Sequence, residues 1–152
     1  MGRRLCARCR VLGKSAGERL GLEAGSRVLV RRMVRSVKQA RDAPFGAGAD
    51  SLSDEYFPYD LVAGTPLASP VPASAYGELE KIGRRLRGHR DELRPRVATA
   101  EERRLLALPQ VSVVLELART GLDGDGVPVV VVHQVRRGDG ATYTYDITYP
   151  GR

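Results

Sequence analysis

Apolar and polar positions are most clearly organised in the last third of the chain. Residues 112–122, 128–136 and 141–149 are apolar-rich, separated by Asp125-Gly126 and Gly138-Asp139-Gly140. Glycine tolerates the positive φ of tight hairpin turns, so these stretches predict an antiparallel meander of three long strands. Upstream, residues 27–35 (RVLVRRMVR) mix β-branched and long cationic side chains, which suits a strand with one buried face. Residues 51–57 predict a strand ended by Pro58, and residues 91–98 alternate as another. Residues 15–22 predict a short helix stopped at Gly25. Leu79, Ile82 and Leu86 recur at helical spacing behind Ser74, a good N-cap, which predicts a helix over 74–88 weakened at Gly83 and stopped at Gly88. Thr99-Ala-Glu-Glu102 forms a capping box for a short helix that holds Leu105, Leu106 and Leu108 and ends at Pro109.

Between these elements, Pro44, Gly46 and Gly48 predict a long loop over 38–50, and Gly64, Pro66, Pro70 and Pro72 a linker-like stretch. Residues 1–14 show no periodicity and are expected to be an unpaired tail ahead of one domain over 15–152. The sum is about six strands and two or three helices, without βαβ alternation, so the fold class is α+β.

Composition narrows the function classes. The chain has 152 residues, 42% hydrophobic and 28% charged, enough for one domain with a real core and too apolar for disorder. No apolar run is long enough for a membrane span, and no apolar stretch follows Arg3 and Arg4 to make a secretory signal. The expected location is the cytoplasm. The net charge of +7 is concentrated, with residues 1–35 holding ten cations and two anions. Such a leader can meet a polyanion by counterion release, which keeps a non-specific nucleic-acid binder among the alternatives.

The candidate chemistry is sparse. Cys6-Ala-Arg-Cys9 is half of a zinc ligand set, with no second pair and only His89 and His133 elsewhere, so no metal is expected. Nucleophile-elbow, P-loop and dinucleotide-binding patterns are missing, and no cofactor is implied. Glu101 and Glu102 sit where they serve a helix cap rather than acid–base work. Arginines on strands are more informative. Those of 27–35, together with Arg94 and Arg96, need partners wherever they face inward. Either a bound carboxylate or phosphate supplies that pairing, or the arginines meet solvent, Asp54, Glu55 or Glu116.

The order of several motifs bears on that choice. LGLEAGSRVLVRRMVRS, SDEYFPYDLVAGTPL, YGELEKIG, RVATAEERRLLALP and DGDGVPVVVVHQVRRGDG occur in succession. From about residue 16 to 149 the chain resembles the UTRA domain, the effector-binding half of HutC-type regulators in the GntR superfamily. The resemblance implies a chorismate-lyase-like α+β fold, a homodimer, and a pocket for a small anionic effector whose binding alters DNA affinity. It implies no catalysis, although an enzyme of the chorismate-lyase type shares the fold. It also implies that Arg32, Arg35 and Arg96 are cations facing the effector, with Ser74 and Tyr76 at the start of the pocket helix. Val130 stands where the family carries an acid, which implies a ligand less hydroxylated than a sugar. DNA contact is expected only through a winged-helix domain, for which the residues before position 15 are too few.

Overall fold

In the computed structural model, residues 2–11, 14–36, 49–69, 74–139 and 142–147 are described, with side chains from residue 16 onward except 35 and 36. Six strands form one antiparallel sheet: β1 (Gly2–Val11), β2 (Arg27–Ser36), β3 (Ser51–Pro58), β4 (Gly88–Val97), β5 (Val113–Leu122) and β6 (Pro128–Arg137). Their order is β1-β2-β3-β6-β5-β4. The helices are α1 (Lys14–Arg19), α2 (Tyr59–Val62), α3 (Ala75–Lys81) and α4 (Ala100–Leu106), with a 3₁₀ turn at Pro66–Ala68. This is the α+β, chorismate-lyase-like architecture that the motif order implies.

Three expectations change. Gly2–Val11 is a strand paired along its length with β2, from Gly2 opposite Ser36 to Val11 opposite Arg27. An edge strand held by backbone ladders needs no regular apolar alternation, so its composition concealed it. Cys6 and Cys9 therefore lie in a strand rather than a tail. The third strand of the predicted meander is not formed: residues 142–147 are irregular. Both edges of β6 are already occupied, by β3 and β5, so it has no ladder left to offer a following strand. Finally, the helix after Ser74 stops at Gly83, not Gly88. Gly83 has φ +77°, its N–H donates to the Glu80 carbonyl, and the Arg84 N–H reaches back to Leu79 at 2.8 Å. That paired closure ends a helix on a left-handed glycine, and Gly88 is left free to open β4. The loop predicted over 38–50 falls mostly outside the described residues.

Both faces of the central strands are covered. On one face, α1 packs Leu20 onto Val28 and Val131, while α4 packs Leu106 with Val114 and Val135. On the other, α2, the 3₁₀ turn and α3 pack Val62, Leu67 and Leu79 over Leu29, Phe57 and Val130. Val129, Val130 and Val131 are all buried, as a strand covered on both sides requires. Burial in β3 runs against hydropathy. Ser51, Ser53, Glu55 and Phe57 are buried, whereas Leu52 and Tyr56 are half-buried. No helix among the described residues is long and apolar enough to cross a membrane.

Candidate functional site

Strand register places one row of side chains straight across the face that α2 and α3 cover: Arg31, Glu55, Val132, Arg119 and Asp91. Arg31 is 1% exposed and donates from Nη1 to Glu55 Oε2 at 3.2 Å. Arg119 holds Asp91 by two parallel bonds, Nε to Oδ1 and Nη2 to Oδ2, both 2.7 Å. The Tyr145 hydroxyl, from the segment after β6, donates to the same Asp91 oxygen at 2.7 Å. The Arg119 contact holds the Asp91 carboxyl below its usual value against the opposing effect of burial, and Tyr145 assists. In return, Asp91 raises the pKa of Arg119 and the Tyr76 hydroxyl adds to the rise, so this guanidinium is a fixed positive charge.

The row runs into a cavity of about 450 Å³ between α3 and strands β4, β5 and β6. Tyr76, Leu86, Val130 and Val132 form its apolar walls, and Arg119 supplies a cation within it. Gly121 lets the walls close. A Cβ there would lie 2.7 Å from a Val130 methyl and 2.9 Å from a Leu86 methyl. Of the charged residues at the cavity, Arg119 pairs with Asp91 and Arg85 with Glu80, so the positive charge left over is that of Arg87, exposed like the neighbouring His89. The Nη1 amine of Arg119 takes no part in the Asp91 pair. Together these features suit a small anion with a partly apolar body.

A second hollow, about 340 Å³, lies on the opposite face between α4 and strands β2, β3 and β6. Three carboxylates line it, Asp54, Glu101 and Glu102, against the single cation of Arg32. Arg32 pairs with Asp54 through Nε at 2.9 Å and Nη2 at 2.8 Å. Arg96 grips Glu102 at 2.7 and 2.8 Å and gives Nε to Glu116 at 3.1 Å. Glu116 also meets His133. Arg96 draws the Glu102 carboxyl down to about 2, and burial only partly offsets this. For Glu116, burial pushes upward, but the bonds from His133 and Arg96 more than compensate and leave it low.

The sequence-predicted residues therefore do not converge on one hollow. Tyr76 lines the cavity beside Arg119, whereas Arg32 lines the hollow on the other face. Arg96 belongs to the cap network of α4. Ser74 caps α3, its hydroxyl accepting from the Gly77 N–H at 3.4 Å. Arg35 pairs through its backbone with Ser51, and its side chain lies outside the described residues. Asp54, Glu55 and Glu116 are partners of strand arginines, as the intramolecular alternative anticipated. Sequence reasoning missed Arg119 and Asp91. Their opposite charges were visible, but only the β4–β5 register makes them face each other.

Comparison with known proteins agrees with this architecture. PhnF from Mycobacterium smegmatis superposes with a TM-score of 0.79 at 21% identity, covering 98% of this chain and 63% of PhnF. The isolated effector domain of the same protein gives 0.76 at 22% identity, covering 97% of this chain and 87% of that one. A GntR-family transcriptional regulator from Enterococcus faecalis gives 0.79 at 17% identity, covering 96% of this chain and all of that one. The chain thus spans less than two thirds of full-length PhnF. No curated protein sequence matches it significantly. The UTRA domain model matches residues 10–142, most of the chain, and the protein belongs to the UTRA domain family.

Proposed function

We propose that this domain senses a small anionic metabolite for a GntR-type, HutC-like transcriptional regulator, and that the effector occupies the cavity bounded by α3, β4, β5 and β6. The observation that carries the reading is Arg119. It is a cation held in place by Asp91 in a recess whose other charged side chains and His89 are exposed, and its Nη1 lies outside that pair. Tyr76 lines the cavity beside it. The domain works without catalysis and as a homodimer, and DNA is contacted by a winged-helix domain of the regulator. Effector binding favours one arrangement of the assembly, and the coupling is limited to the effector's differential affinity for the two states.

Thermal-shift measurements against a panel of anionic and neutral metabolites test this. An anion at a hundred times its Kd adds about 2.7 kcal/mol of stability, which raises Tm by about 5–10 °C for a domain of this size. Arg119→Gln should abolish that rise. A panel in which no anion gives an Arg119-dependent shift contradicts the proposal.

A further inference from the structure

Resting on that reading of the cavity, we infer that its ligand is a monocarboxylate with a short acyl or aryl chain, rather than a hydroxylated acid or a phosphate. A ligand hydroxyl buried without a partner loses its bonds to water and gains nothing in return. Glu80 is the one carboxylate among the described residues lining the cavity, and it sits at the rim, exposed and paired with Arg85. Asp91 is nearby but committed, holding Arg119 through both oxygens and accepting from Tyr145 as well. Glu55, next in the row beyond Val132, is buried against Arg31. The carboxylates closest to the cavity therefore already have partners.

The body of the cavity is the reverse. Val130 is 1% exposed, and with Val132, Leu86 and the Tyr76 ring it offers a continuous apolar wall. Gly121 lets Val130 and Leu86 close up with no side chain between them. The cationic end is modest, since one positive charge remains after pairing. A single carboxylate matches it, whereas a phosphate dianion brings two negative charges to a cavity whose surplus is one, on the exposed Arg87. A carboxylate at Arg119 then lays its chain along Val130 and Val132, as the pocket's division into one polar and one apolar end requires.

Isothermal titration of the whole chain with hexanoate, gluconate and inorganic phosphate decides the matter. Gluconate has the same carbon count as hexanoate but carries hydroxyls along it. Hexanoate should bind at least about tenfold more tightly than gluconate, corresponding to about 1.4 kcal/mol, with a more negative heat-capacity change and with phosphate weakest. Arg119→Gln should remove hexanoate binding. Val132→Thr, nearly isosteric and compatible with the strand, should weaken hexanoate and narrow its advantage. Arg119-dependent binding of gluconate or phosphate as tight as hexanoate overturns the ligand class while leaving the cavity as the sensor site. Hexanoate binding that survives Arg119→Gln overturns the class as well. If none of the three anions binds in an Arg119-dependent way, the monocarboxylate inference fails, and the wider thermal-shift panel then decides whether the sensor reading fails with it.

Discussion

The two faces of the sheet treat arginine differently. Beneath α4, Arg32 and Arg96 are closed into pairs with Asp54, Glu102 and Glu116, and the hollow there is lined by Asp54, Glu101 and Glu102 against Arg32 alone. Beneath α3, Arg119 is paired through the same two nitrogens, but its recess has apolar walls and carries Arg85, Arg87 and Arg119 against Glu80 alone. Cationic strands alone therefore do not locate a site. What distinguishes the two regions is the sign of the charge lining each hollow, acidic beneath α4 and basic beneath α3.

The largest test of this contrast is on stability. Glu55→Ala removes a carboxylate partner of Arg31, which is almost wholly buried, and breaking a buried ion pair from one side costs about 3–5 kcal/mol. Asp54→Ala leaves Arg32, whose side chain is 61% exposed, to be solvated, at a cost of about 1 kcal/mol or less. Urea unfolding of the two variants should separate them clearly. Equal losses would mean that the two faces do not differ in how they hold charge.

Next in size is the acid limb of the α4 network. The Glu102 carboxyl lies near 2 in the folded protein against an ordinary 4.5. A depressed carboxylate gives stability that is complete above the unfolded value and lost as pH falls through the folded one. Tm should therefore decline as pH drops from about 4.5 toward 2. Glu102→Gln, which weakens the Arg96 contact but keeps an acceptor for the cap, should lower neutral-pH stability by about 1–2 kcal/mol and flatten that decline. Effector binding should be unchanged, because Glu102 belongs to the other face.

Smaller effects concern how Arg119 is held. Asp91→Asn keeps the shape but loses the charged acceptor, and effector affinity should fall about five- to tenfold, roughly 1 kcal/mol. Tyr145→Phe removes one support of Asp91, and about a twofold loss is expected. Titration calorimetry on both variants checks the order. A Tyr145 effect exceeding that of Asp91 would show that Tyr145 acts on the ligand directly.

Much of this fold was legible in the chain. The capping box at Thr99 and Glu102 is formed as the sequence implied, because a cap depends on residues three apart and not on distant partners. The hairpin joining β5 to β6 follows its turn, where Gly126 takes φ +76° and Asp123 accepts from the Asp125 and Val127 N–H groups. What escaped was set by long-range pairing. Gly2–Val11 is a strand because β2 offers it a free edge, and residues 142–147 are not part of the meander because β6 offers none. The buried face of β3 looks polar because Glu55 is neutralised by Arg31 from the neighbouring strand, which no local pattern announces. The site suffered most from this limit. The arginines of 27–35 attract notice by number, but Arg119 acquires its meaning only from the residue opposite it.

A crystal structure of the protein with its tightest-binding carboxylate would test the account most directly. The carboxylate is expected within hydrogen-bond distance of Arg119 Nη1, with the chain of the ligand against Val130 and Val132 and the Arg119–Asp91 pair intact. A ligand seated instead beside Arg32 beneath α4 would contradict it.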